Sequence, residues 1–189
     1  MADVFEHLEA YAGEILHGWS DDEQSEKPPF QVVRLSGGPY AGTTTFSTLG
    51  LSKFPLPNGK TGDGARLIRH ELLMVVPKDA VPGNIAAVLQ QAGLEALSRN
   101  AAYLCGEMLG PKGVLFEGYE PKALYASNPV YFPDDFASVA VDGVGDVAFV
   151  WFFPLLDEEI RYLHTHGWPA FEARLEKENP DLVDYRRTS

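Results

Sequence analysis

Between Asp146 and Asp157 the chain reads Val-Ala-Phe-Val-Trp-Phe-Phe-Pro-Leu-Leu, ten residues without a charge. An amphipathic helix, or a strand with one wet face, needs polar residues at regular intervals, and this run offers none. It is far short of the about 20 residues that cross a bilayer as a helix, and Pro154 interrupts it. The run therefore predicts a central strand covered on both faces. Such a strand requires packing partners above and below it, which points to an α/β (α+β) fold with a mixed central sheet flanked by helices.

The rest of the chain supplies those partners. Apolar residues at Val4/Phe5, Leu8, Tyr11/Ala12, Ile15/Leu16 and Trp19 recur at helical steps and predict a first helix over 3–17. A polar stretch from Asp21 ends in Pro28-Pro29 and delivers an extended segment over Phe30–Ser36. The threonine-rich Thr43–Leu51 predicts a second strand, which pairs with the first as a hairpin. Residues 55–64 read as a surface loop, and Arg66–Val76 as a strand stopped by Pro77. Asn84 is placed to cap a helix running to about Met108, with Cys105 a buried, inert thiol on its apolar side. From Lys112 to Phe136 regular structure is sparse, with short extended pieces at 113–116 and 122–127. A weakly alternating strand over Phe136–Val141 precedes the long apolar one. Asp157 is the expected N-cap of a helix ended by Gly167, and Pro169 opens a last helix closed by Pro180. No repeat or linker divides the chain, so 1–189 is expected to be a single domain.

At 189 residues and 45% hydrophobic content, such a domain buries about 70% of its unfolded surface and needs no staple. The lone Cys105 cannot form an internal disulfide, no glycosylation sequon occurs, and no base precedes Lys27. These features predict a cytoplasmic address and no membrane span. A net charge of −12 argues against direct nucleic-acid binding, which depends on Lys and Arg neutralising phosphates. The acid sits at the two ends, with −8 over 1–26, +3 over 27–133 and −9 over 134–185. If the first and last helices lie side by side, they form a negative face suited to a basic protein partner; otherwise these are solvated helix faces.

No nucleophile elbow, phosphate loop, zinc-protease motif or Cys-x-x-Cys is present. No catalytic, cofactor-binding or metal-ligating set is therefore expected. His164-x-His166 is the nearest approach to a metal pair, but residues two apart at a helix end diverge by about 200°. An enzyme using His70, His164 or His166 stays open only as an alternative. The stretch holding Tyr119, Tyr125, Pro129, Tyr131, Phe132 and Pro133 offers either rigid rings for a peptide groove or a loop packed over the sheet.

Thr48-Leu49-Gly50-Leu51-Ser52 with Phe54, Glu71-Leu72-Leu73-Met74-Val75-Val76-Pro77, Trp151-Phe152-Phe153-Pro154-Leu155, Asp157-Glu158-Glu159-Ile160 and Leu182-Val183-Asp184-Tyr185-Arg186-Arg187 come in this order along the chain. Together they resemble the suppressor-of-fused domain, with the match strongest over about 46–187. The resemblance implies a mixed sheet with helices and a role in binding protein. The animal member is a two-domain clamp that adds a peptide as a strand, and this chain resembles its N-terminal domain alone. Single-domain bacterial relatives imply an immunity role, sequestering a cognate toxin such as a nuclease domain. On this reading the partner contacts are expected at Asp157, Glu158 and Glu159 and at Tyr125, Tyr131 and Phe132. The alternative is a general peptide-binding or regulatory adaptor that uses a sheet edge.

Overall fold

The uncharged run lies at the centre of the longest sheet strands in the molecule, as its composition demands. The computed structural model describes residues 3–19, 29–111 and 113–188; the polar segment expected from Asp21 falls mostly on 21–28, outside the described residues. In chain order the elements are α1 (Val4–Ala12), β1 (Ile15–Trp19), β2 (Gln31–Leu35), β3 (Thr43–Leu49), β4 (Leu56–Pro57), β5 (Leu67–Pro77), α2 (Ile85–Arg99), β6 (Met108–Leu109), β7 (Ala123–Ser127), β8 (Ser138–Val141), β9 (Gly145–Leu155) and α3 (Asp157–Glu178). The sheet runs β1-β2-β3-β5-β9-β7-β6, with β4 on β5 and β8 on β9. β5 and β9 are parallel, in the register Arg69 to Val147 through Leu73 to Trp151. The other described pairings are antiparallel.

Alternation along the central strands builds two cores. Leu73 and Val75 of β5 join Phe149, Trp151 and Phe153 of β9 on one face, where Leu8 of α1 and Ile160, Leu163 and Phe171 of α3 cover them. Leu72, Met74, Val76, Val150 and Phe152 face the other way, under Ile85, Leu89, Ala92 and Ala96 of α2. Each fully buried large side chain contributes about 1.5–3 kcal/mol relative to exposure. The two acidic ends of the chain thus place α1 and α3 on the same side of the sheet.

Several boundaries differ from the sequence reading: Leu56–Pro57, expected in a surface loop, pairs with β5, and the strand beside β7 is Met108–Leu109, while 113–116 forms none. The first helix stops at Ala12, because Gly13 takes φ 79° and a Cβ there would meet Ser36 Oγ at 2.4 Å. Ile15–Trp19 then pairs with β2 as a strand. Its apolar spacing satisfied helix and strand periods alike. The second helix ends at Arg99, where Asn100 adopts the left-handed cap (φ 49°), so Tyr103, Leu104 and Cys105 lie beyond it. Gly93 does not break this helix; a Cβ there would sit 2.4 Å from the Phe30 ring, so glycine is needed for close packing. Asn84 occupies the N-cap position, but its amide donates to the Leu115 carbonyl instead of capping. At α3 the N-cap is Leu156, and Asp157 is the first helical residue. The break at Gly167 (φ 78°) falls where expected.

Glu71 is fully buried on β5, yet its carboxylate is saturated. Oε1 accepts from Gly50 N–H (2.9 Å), Ser52 N–H (3.1 Å) and Ser52 Oγ–H (2.7 Å). Oε2 accepts from Thr48 Oγ–H (2.6 Å) and Leu51 N–H (3.2 Å). Gly50 reaches this geometry at φ 101°, where a side chain would be strained. The Thr48–Ser52 turn is thereby wrapped around one anion, and Arg69 fastens its far side through the Ser52 and Lys53 carbonyls. Glu71→Gln keeps an oxygen for the three Oε1 donors but puts an NH2 where Oε2 accepted from Thr48 Oγ–H and Leu51 N–H, for an expected cost of about 2 kcal/mol. Glu71→Ala strands every donor and should cost about 4 kcal/mol. Urea unfolding of both variants checks the order.

On the α2 side His70 is also fully buried. Its Nε2 accepts from Tyr103 N–H at 3.1 Å, and burial lowers its pKa from 6.5 to about 4. The unfolded chain therefore takes up this proton first. His70 contributes its full stabilisation above about pH 6.5 and loses it as pH falls toward 4, a difference of about 3 kcal/mol. His70→Gln, which still offers an acceptor to Tyr103, should flatten that part of the stability–pH curve in denaturant melts at pH 7 and 4 (about 3 kcal/mol less acid loss).

Candidate protein-binding surface

The second half of α3 lies over β7 and β9 with Phe171 against the Tyr125 ring (5.2 Å). Tyr125 is fully buried and its hydroxyl donates to Glu172 Oε1 at 3.0 Å. In the loop after β7, Tyr131 packs on Trp151 (5.0 Å) and donates to the Pro180 carbonyl at 3.3 Å. Between loop and helix remains a cavity of about 240 Å³, lined by Tyr125, Asn128, Tyr131, Glu172, Glu176 and Asn179, with Leu175 and Leu182 among its apolar walls. Burial first, and then the charge of Glu172, push the Tyr125 phenol above its ordinary range.

Two of the three aromatic candidates therefore share one cavity. Phe132 does not: it is 6% exposed and stacks on Phe136 at 4.1 Å, so it is core and cannot offer a ring to a partner. Tyr119 is elsewhere, donating to the Ala80 carbonyl. Cys105 also departs from expectation. It is exposed rather than buried, in the turn after α2, with Sγ 3.3 Å from Asn128 Oδ1. Desolvation and Glu172 raise its thiol pKa, which disfavours the reactive thiolate.

The three acids at the start of α3 have separate fates. Asp157 and Glu158 are exposed, and pair with Lys122 (2.7 Å) and Arg174 (2.6 Å). Glu159 is only 8% exposed; it takes the Leu156 N–H on Oε2 and Arg187 on Oε1 (2.6 Å), so it is turned inward and is not a surface charge. Arg187 also donates to the Pro154 carbonyl, which ties the C-terminal segment to the end of β9. Glu172 and Glu176 went unrecognised in the sequence, although their spacing of four on a helix was a legible sign of a shared face.

The histidines are not brought together. His70 lies under the α2 side, whereas His164 and His166 are exposed on α3, His166 stacked on Tyr162. Among the described residues no group of three or more His, Cys, Asp or Glu is arranged to hold a metal ion. No helix of the described residues is long and apolar enough to cross a membrane.

A mixed sheet with α1 and α3 on one face and α2 on the other is the fold of solved suppressor-of-fused structures. A homologue from Neisseria gonorrhoeae FA 1090 superposes with a TM-score of 0.73 at 17% identity, covering 97% of this chain and 92% of that one. A chain of the Sufu–Fu complex gives 0.72 at 13%, covering 98% and 89%. Drosophila Suppressor of Fused gives 0.62 at 14%, covering 86% of this chain but 43% of the longer one. No curated protein sequence matches. The profile of the suppressor of fused protein (SUFU) family matches residues 26–188. The chain belongs to that family.

The contrast between neighbouring acids is measurable. Glu159→Ala leaves Arg187 and the Leu156 N–H without their acceptor and should cost about 3 kcal/mol in chemical denaturation. Glu158→Ala removes a surface pair and should cost under about 1 kcal/mol.

Proposed function

We propose that this domain is a non-catalytic binding protein that inhibits a basic protein partner by covering it, the partner being a cognate toxin domain such as a nuclease. Family membership supports a binding role, and one structural neighbour was solved as a complex of Sufu with Fu. The observation that carries the reading is the shared placement of α1 and α3. Asp3, Glu6, Glu14 and Glu176 are exposed on this side of the sheet without an ion pair among the described residues; Asp157 pairs with Lys122, Glu158 and Glu178 with Arg174, and α3 also exposes Arg161 and Lys177, so the excess of acid is concentrated toward α1. Opposite fields accelerate encounter, and a negative surface seated in a phosphate-binding cleft denies that cleft to its substrate.

The test first asks whether a reading frame beside this gene encodes a secreted toxin domain and, where one does, co-purifies that domain with this chain and follows association by stopped flow. The association rate should fall about tenfold as ionic strength rises from about 0.01 to about 0.15 M. Asp157→Lys with Glu158→Lys should slow association while leaving the fold intact. Indifference to both salt and charge reversal would remove the electrostatic mechanism. Turnover of a small compound abolished by one substitution would remove the non-catalytic reading.

A second reading has one specific observation behind it. Among the described residues β1 pairs only with β2, and it exposes Leu16 (59%) and Trp19 (37%). An adaptor that adds an extended peptide to this edge would bind several unrelated peptides, and Leu16→Lys would abolish that binding without altering the response to salt.

A further inference from the structure

We infer that the cavity between β7, its following loop and α3 is a socket for an arginine side chain of the protein partner. This rests on the protein-binding reading and names the chemistry of one contact within it.

The cavity is small for an enclosed metabolite. At about 240 Å³ the cavity falls below the roughly 300–1,000 Å³ of sites that enclose metabolites. A single long side chain fits such a space. The lining sets its charge. Glu172 and Glu176 are one helical turn apart on the wall, and no lysine, arginine or histidine is among the lining residues. Like charges at this spacing repel, so the pair is a local cost unless a cation joins it. The neighbouring Arg174 does not serve, because it is held by Glu158 (2.6 Å) and Glu178 (2.9 Å). Glu172 and Glu176 make no ion pair among the described residues.

The remaining wall favours a guanidinium over an ammonium. Tyr131, half-buried and braced against Trp151, supplies an aromatic ring on which a flat cation stacks. Glu172 keeps Oε2 uncommitted, since the Tyr125 hydroxyl takes only Oε1. Asn128 and Asn179 line the same space; the Oδ1 of Asn128 accepts from Cys105 Sγ with one of its two lone pairs, and an amide oxygen can accept a second donor. A planar fork of N–H donors can use a carboxylate, a ring face and an amide oxygen at once, whereas a lysine ammonium reaches fewer of them. The frame is firm: Tyr131 is tied to the Pro180 carbonyl and Phe171 packs beneath Tyr125. The site is thus organised before any partner arrives, which lowers the ordering cost of binding.

The experiment needs no partner. The probes are three acetylated, amidated tripeptides, Gly-Arg-Gly, Gly-Lys-Gly and Gly-citrulline-Gly, titrated to millimolar concentration against the full chain and read by NMR shifts at Tyr131, Asn128 and Asn179. The arginine peptide should shift these signals saturably, the lysine peptide should bind about fivefold more weakly, and the uncharged citrulline peptide should have no saturable effect. Glu172→Gln with Glu176→Gln should weaken arginine binding about tenfold or more with an unchanged melting curve. If the double variant melts early, the exposed Glu176→Gln alone serves, with a smaller loss expected. Equal binding of citrulline and arginine, an arginine affinity untouched by the charge-removing variants, or no response to the arginine peptide would overturn the socket. Salt-sensitive capture of the toxin domain with no peptide response would sink the socket alone. A peptide response without toxin capture would sink the proposed partner and leave the cavity's chemistry standing.

Discussion

A carboxylate buried inside a sheet is tolerable only when nearly every lone pair is used, and Glu71 meets that condition with five donors, all from Thr48, Gly50, Leu51 and Ser52. The consequence is a fixed relation between the end of β3 and the start of β5. Thr48 Oγ also accepts the Leu72 N–H, so one hydroxyl joins the turn, the carboxylate and the strand backbone. With β5 placed, its parallel register against β9 follows, and that pair carries side chains for both cores. Glu71 therefore acts as a fastener at the strand on which the rest of the sheet is hung.

The two faces of that sheet serve different ends. On the α2 side His70 is held neutral by burial and its imidazole is spent on a backbone N–H. The α1 and α3 side is equally packed beneath but acidic above. α3 can present charge without shifting because it is anchored along its length: Glu159 to Arg187 at its start, Phe171 on Tyr125 in its second half, and the Asn179 cap at its end. Rigid support of this kind is what a recognition surface requires if its side chains are to meet a partner without first being ordered.

The segments through which the chain resembles its family are, in this structure, chiefly those that hold it together. Thr48–Ser52 and Glu71 form the anion nest, Trp151–Leu155 is the doubly covered strand, and Glu159 and Arg187 form the clamp that fastens the C-terminal segment. Most of these side chains are buried, although Leu49, Gly50 and Ser52 also line a surface cavity beside α1. The cavity residues Tyr131, Glu172 and Glu176 lie within the matched span but not in the segments that carry the resemblance. A shared fold at 13–17% identity is compatible with quite different partners for this reason.

Much of the architecture was legible because it depends on local pattern. The run from Val147 could only be a strand buried on both sides, β2 and β3 pair as a hairpin, and Gly167 with Pro169 divides α3 where steric rules require. The errors fell where two local patterns fitted equally well or where a distant contact chose between them. Ile15–Trp19 suited either period until β2 offered it hydrogen bonds, and the helix through Asn100 ended because a left-handed cap freed Tyr103 to meet His70. Among the site candidates, the sequence could count acids and rings but not aim them: Glu158 and Glu159 are adjacent, yet a rotation of about 100° per helical residue sends one to water and the other to Arg187. By itself the sequence determined the class of fold, the central strand and the excess of acid at both ends, since these follow from hydrophobicity, backbone sterics and charge. Only the tertiary structure decided that α1 and α3 share a face, that Glu71 is an internal anchor, and that Tyr131 meets Glu172 and Glu176 across a cavity. Those are relations between residues far apart in the chain, fixed by the packing of the whole.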